Sequence, residues 1–151
     1  MRIELDDLSG PQIQALLREH LQNMYAVTPA ASVHALDLER LRSPQITFWT
    51  IWEGEELLGC GALRELDPLH GEIKSMRTPQ SKRRKGAGRA ILEHIITIAR
   101  MRGYRRLSLE TGATEAFNAA QQLYASAGFV PCGPFGEYRE DPHSAFMTLV
   151  L

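Results

Sequence analysis

Apolar residues recur along this chain with two periods, and each change of period marks an element. Arg2 to Leu5 alternates as a short strand. From Pro11, the set Ile13, Leu16, Leu17, Leu21 and Met24 recurs at helical spacing and stops before Pro29. A second short helix is predicted over Leu36 to Leu41, ended by Pro44. Ile46 to Trp52 is rich in β-branched and aromatic residues and reads as a strand. Glu53-Gly54-Glu55 makes a turn into a strand from Leu57 to Leu66, and Asp67-Pro68 with Gly71 turns into a third from Glu72 to Thr78. The three form an antiparallel meander.

Beyond Thr78 the period becomes helical. Gly88, Ile91, Leu92, Ile95, Ile96 and Ala99 make one apolar stripe, with Arg89, Glu93, Thr97 and Arg100 opposite and Gly103 as the stop. Leu107 to Glu110 is the next strand, and Phe117 to Ala127 a helix closed by Gly128. Phe129-Val130 starts a short strand, Pro131 to Ser144 is a long loop, and Ala145 to Leu151 is the last strand. This is an α/β order around one sheet.

Composition narrows the class. A chain of 151 residues suits a single domain with a hydrophobic core. The net charge of −1 argues against a bulk polyanion binder, so neither nucleic acid nor membrane is an expected partner. Charge is nevertheless uneven: Lys82, Arg83, Arg84, Lys85 and Arg89 are clustered, and Glu137, Glu140 and Asp141 are acidic. Two cysteines, Cys60 and Cys132, cannot build a disulfide framework, which favours a reducing compartment. The five histidines are scattered, so no metal is expected. Asp6 and Asp7 stand where a signal peptide would be apolar, and no apolar run could span a bilayer, so a cytoplasmic location is expected.

The candidate chemistry lies in Arg83-Arg84-Lys85-Gly86-Ala87-Gly88, between a strand and the amphipathic helix. Glycines at a helix start let the backbone approach an anion, and first-turn N–H groups have no partner of their own. The stretch predicts a phosphate or pyrophosphate cradle. It is not a P-loop, because Arg89 follows Gly88, nor a dinucleotide fingerprint, because Ile91 stands where a third glycine is required.

Arg83, Gly86 and Gly88 instead match Arg/Gln-x-x-Gly-x-Gly/Ala, and Ala120-x-x-Leu123-Tyr124-x-x-x-Gly128-Phe129 follows one helix and one strand later. With these two signatures, and with Lys74-Ser75-Met76-Arg77-Thr78 ahead of the loop, the chain resembles the GNAT superfamily of acyl-CoA-dependent N-acyltransferases. The resemblance covers Glu72 to Phe129. It implies one N-acetyltransferase domain over residues 1–151, with a mixed, mainly antiparallel central sheet flanked by helices. Acyl-CoA is then bound at the splayed strand before the Gly-x-Gly helix.

The resemblance also implies roles. The backbone of Arg83, Arg84, Lys85, Gly86, Ala87, Gly88 and Arg89 holds the CoA pyrophosphate, and Met76, Arg77 and Thr78 carry the pantetheine arm like an added strand. The Met76 amide polarises the thioester carbonyl. Tyr124 protonates the departing thiolate, a modestly uphill transfer from a phenol near ~10 to a thiol near ~8.5. Glu72, four residues before Met76, is the leading general base, with Glu110, Tyr138 and His34 behind it. Strand alternation would put Glu72, Lys74 and Met76 on one face. Many relatives carry Asn where this chain has Phe117, so Asn118 is the nearest substitute for a pantetheine contact.

The expected reaction is acetyl transfer from acetyl-CoA to a primary amine of a small molecule or peptide, with a homodimer as a possible assembly. The alternatives are a non-catalytic acyl-CoA-binding module and a nucleic-acid binder. The second would interleave aromatics with its charges, and none lie between Lys74 and Arg102. Acceptor-pocket segments are expected at Thr28 to Leu36 and Gly133 to Ser144.

Overall fold

The computed structural model describes every residue except Ala35 and Arg84, and of Gln80 the backbone only. Seven strands form one sheet in the order β1-β2-β3-β4-β5-β7-β6. They are β1 (Arg2–Leu5), β2 (Ile46–Glu53), β3 (Glu56–Asp67), β4 (His70–Arg77), β5 (Arg106–Gly112), β6 (Val130–Cys132) and β7 (Ser144–Val150). The helices are α1 (Pro11–Val27), α2 (Leu38–Leu41), α3 (Ala87–Met101) and α4 (Asn118–Ser126). Every predicted element is present, with ends shifted by a few residues. α2 starts later than expected because the Asp37 side chain caps it, accepting from the Arg40 amide at 2.9 Å. A 3-10 turn at Glu115–Phe117 leads into α4 and takes in Phe117, the residue expected to begin that helix.

Antiparallel pairing runs throughout, except that β4 and β5 are parallel, paired from His70–Arg106 to Ile73–Leu109. Past Ile73 the two strands diverge. β4 continues to Arg77 and β5 to Gly112 without a shared ladder, so the sheet opens into a V at its centre.

The two sheet faces differ in chemistry. On one, Ile91, Leu92, Ile95 and Ala99 of α3 and Tyr124 of α4 pack on Trp49, Ile51, Leu63, Ile73, Leu107 and Leu109. On the other, Ile13, Leu16 and Leu17 of α1 and Leu41 of α2 cover Phe48, Leu57, Cys60 and Ala62. There the apolar cover gives out: Glu72, Ser108 and Thr148 are buried polar groups on the same sheet. Trp49 is core, and Cys60 is a fully buried small residue whose thiol burial pushes up to about 12. Among the described residues no helix is long and apolar enough to cross a membrane.

Candidate active site

The open V is bordered by a specific backbone distortion. Cys60 pairs with Arg77 and Ala62 with Lys74, so Ser75 and Met76 face the single residue Gly61 in a β-bulge. Ser75 takes the left-handed region at φ 54°, which turns the strand over. The bulge corrects the expected alternation. Glu72 and Lys74 lie on the α1 side with their partners Arg64 and Ala62, whereas Met76 points to α3. A Cβ at Gly61 would stand 2.8 Å from the Met76 sulfur and 3.0 Å from Ile95, so only glycine leaves room for that crossing. On the β5 side, residues 74–77 keep an edge with no strand to pair.

At the end of this edge, Thr78 leads through a 3-10 turn (Gln80–Lys82) to α3. Gly86 caps α3 at φ 83°, ψ 5°, a conformation that costs an L side chain strain, and the cap uses no side-chain hydrogen bond. Among the described residues a Cβ there would meet only Met1, at 3.8 Å, so the surroundings of the cap are open. Lys82 and Lys85 flank it and pair with Glu56 of β3, Lys85 at 3.9 Å. These lysines hold the Glu56 carboxyl below the usual range, chiefly through the Lys82 contact. Arg83 and Gly86 are exposed, and Arg84 lies outside the described residues.

Tyr124 is buried in the core on the α3 side. Its helix is fixed at both flanks: the Gln121 amide donates to the Gly112 carbonyl at 2.6 Å, and Arg89 donates to the Ser126 hydroxyl at 2.8 Å. A Cβ on Gly88 would touch Leu123 at 3.4 Å, which measures how closely α4 lies against the start of α3. The Tyr124 ring packs edge-on to Phe129 at 5.9 Å, and burial raises its hydroxyl above the ordinary phenol range. Asn118 is exposed at the first residue of α4, and Phe117 lies over Gly112, where a Cβ would be 2.0 Å from the ring. Asn118 is thus a solvent-exposed residue, and the Phe117 ring covers Gly112 at the end of β5.

The polar face holds the remaining candidates. Glu72 is 1% exposed; its Oε2 accepts from the Tyr138 hydroxyl at 2.5 Å and from Lys74 at 3.3 Å. Lys74 also donates to the Tyr138 oxygen at 2.8 Å, closing a triangle. The other Glu72 oxygen has no hydrogen bond among the described residues, with Arg64 4.0 Å away. Burial and the adjoining Glu72 carboxylate push the Tyr138 hydroxyl far above its usual range. Glu72 was expected to reach the attack site directly or through a water; its carboxylate lies buried against Lys74 and Tyr138. Tyr138 comes from the loop before β7, as does Phe135, whose ring lies 5.1 Å from that of Tyr138 and 5.9 Å from those of His70 and Phe146.

Beside that triangle stands a second group. His34 Nδ1 contacts Glu110 Oε2, which also accepts from the Ser144 hydroxyl at 2.8 Å. The His34 ring lies edge-on to Tyr138 at 5.3 Å. Sequence reasoning gave the residues singly but not these groupings, because the loops that bring His34, Tyr138 and Ser144 to the sheet carry no motif.

A free strand edge leading to a cation-flanked helix start that has no side-chain cap suits a long thioester that ends in phosphates. The sheet, with its one opened parallel pair, belongs to the acyl-CoA transferases. The model of the acetyltransferase (GNAT) family matches residues 13–129. The chain belongs to that family, and its acyl donor is accordingly a CoA thioester. It is 57% identical over 151 residues to the uncharacterized N-acetyltransferase YsnE of Bacillus subtilis (strain 168), with 100% of both chains covered. It is 39% identical over 136 residues to an IAA acetyltransferase of Azospirillum brasilense, covering 89% of this chain and 86% of that one. Its fold is similar to an acetyltransferase of Bacillus subtilis solved in complex with CoA, with TM-score 0.73 at 20% identity over 99% of this chain and 98% of that one.

Proposed function

We propose that the protein transfers the acetyl group of acetyl-CoA to a primary amine of a small molecule or peptide by direct attack. The observation that carries this reading is the continuity of the unpaired β4 edge with the Gly86 cap, flanked by Tyr124 on a fixed helix. In this reading the amides of Gly86, Ala87, Gly88 and Arg89 take the pyrophosphate, with Arg83, Arg84 and Lys85 supplying charge. The backbone of Met76, Arg77 and Thr78 takes the pantetheine arm as an added strand, and an amide of the bulge at Met76 faces the carbonyl oxygen of the thioester.

Tyr124 gives its proton to the leaving thiolate. Its buried, protonated hydroxyl suits a donor, and its ring packing keeps the donor in place. Glu72 serves as a fixed charge: it holds Lys74 and Tyr138 in place, and a carboxylate at 1% exposure does not itself meet an amine.

The test is a panel of aryl-alkyl amines, polyamines and amino acids incubated with acetyl-CoA, reading CoA release with and without protein. Protein-dependent release with at least one amine is expected. Tight acetyl-CoA binding without release for any amine would return the chain to a non-catalytic acyl-CoA-binding module.

A further inference from the structure

An ammonium has no lone pair, so an acetyltransferase working near neutrality needs a group that takes a proton from its acceptor. We propose that His34, oriented by Glu110, is that base; the inference rests on the acetyltransfer reading above. Glu110 follows Leu109, the last residue of β5 paired in parallel to β4, so its carboxylate stands where the V opens. It is 13% exposed, accepts from the Ser144 hydroxyl, and binds Nδ1 of an imidazole that is itself 32% exposed. Two further contacts fix the ring and its loop. Lys74, two residues before Met76, donates to the His34 carbonyl at 3.5 Å, and Tyr138 packs on the ring at 5.3 Å.

This arrangement selects one tautomer. With Nδ1–H donating to Glu110, the lone pair sits on Nε2, which has no hydrogen-bond partner among the described residues. A base held by a third group is the recurring geometry of activated nucleophiles. The charged and titratable groups facing His34 are Glu110 from β5, Lys74 from β4, and Asp141 and Tyr138 from the loop before β7.

Nε2 takes one proton from the ammonium of the acceptor, and the freed nitrogen pair forms the N–C bond at the thioester carbonyl carbon. The C–S bond breaks, the thiolate takes the Tyr124 proton, and the nitrogen sheds its second proton, which restores the phenol through solvent. The imidazolium returns its proton to water, so acetyl-CoA and an ammonium give an amide, CoA and one proton. Imidazole can take up a proton at one ring nitrogen while the other stays bonded, here Nδ1 to Glu110.

The test compares two isosteric acceptors with acetyl-CoA at pH 7: 2-phenylethylamine, an ammonium ion at that pH, and O-benzylhydroxylamine, whose nitrogen is already neutral. Should wild type use neither, the best amine of the panel is compared with hydroxylamine. His34→Gln is expected to lower kcat/KM for the ammonium acceptor about 10²-fold, the scale of one general base, and for the neutral acceptor by no more than a few-fold. The thermal shift given by acetyl-CoA should persist, and added imidazole should restore turnover to His34→Gly. Glu110→Gln, acting through His34, should show the same acceptor dependence to a smaller degree, and it carries the test if the His34 variants do not fold. Equal losses on both acceptors, or no loss on either, overturn the assignment while leaving acetyl transfer intact. Wild type that releases no CoA with any amine overturns the acetyltransfer reading, and the proposal with it.

Discussion

Burial alone pushes the Tyr124 hydroxyl upward, with no charge or hydrogen bond opposing it. Such a phenol stays protonated across the working range and is a weaker acid than a free one, so it yields its proton only where the departing thiolate forms in the same buried surroundings, which raise the basicity of the sulfur as well. Tyr124→Phe keeps the ring and its contact with Phe129, so the fold and acetyl-CoA affinity should be unchanged while turnover falls about 10²-fold. The loss should shrink for acyl donors with more acidic leaving thiols. Steady-state kinetics with two thioesters decides it, and normal turnover in the variant would make Tyr124 a packing residue only.

His20 shows the opposite behaviour of a buried base. Its Nδ1 is buried without a partner among the described residues, and burial, then Arg77 and Lys74, lower its pKa from 6.5 to about 4. The unfolded chain therefore binds more protons between those values. The stabilisation from a neutral His20 is complete above pH 6.5 and is lost as the pH falls toward about 4. The loss amounts to at most about 3 kcal/mol. Melting temperature followed from pH 7 to 4.5 should fall less steeply in His20→Gln than in wild type, and parallel curves would exclude His20 as a source of acid sensitivity.

Elements carry the next level of explanation. α3 was legible because its burial is one-sided: Ile91, Leu92, Ile95 and Ala99 are buried and Arg89, Glu93 and Thr97 are not, as the period required. Its start was legible because Gly86 really does adopt a positive φ. The bulge in β4 was not, because serine carries no signal for φ 54° and the cause lies in the neighbouring strand, where Gly61 admits Met76. The polar groupings were hidden for a related reason. His34, Tyr138 and Ser144 meet Glu72 and Glu110 across sequence distances that no local pattern spans. At the start of α3, Gly86→Asp adds a Cβ at a left-handed position and a negative charge over the first-turn amides. The stabilisation that acetyl-CoA gives wild type in a thermal melt should vanish in this variant, whose own fold should persist. ATP and NAD should shift neither protein much. An undiminished acetyl-CoA shift would remove the loop from the binding site.

Taken whole, the molecule is an antiparallel sheet with one parallel joint, and that joint is where it is unfinished. β4 and β5 share a ladder only as far as Ile73 and Leu109, so the backbone at 74–77 lacks the neighbour that protects every inner strand from solvent. Hydrogen–deuterium exchange should see this directly. In the free protein, peptides ending at Ile73 should exchange slowly and those spanning residues 74–78 quickly. If the pantetheine arm lies along β4, saturating acetyl-CoA should slow the second set and leave the first unchanged, a donor acting as an eighth strand. Exchange that stays fast at 74–78 under saturation would place the arm elsewhere.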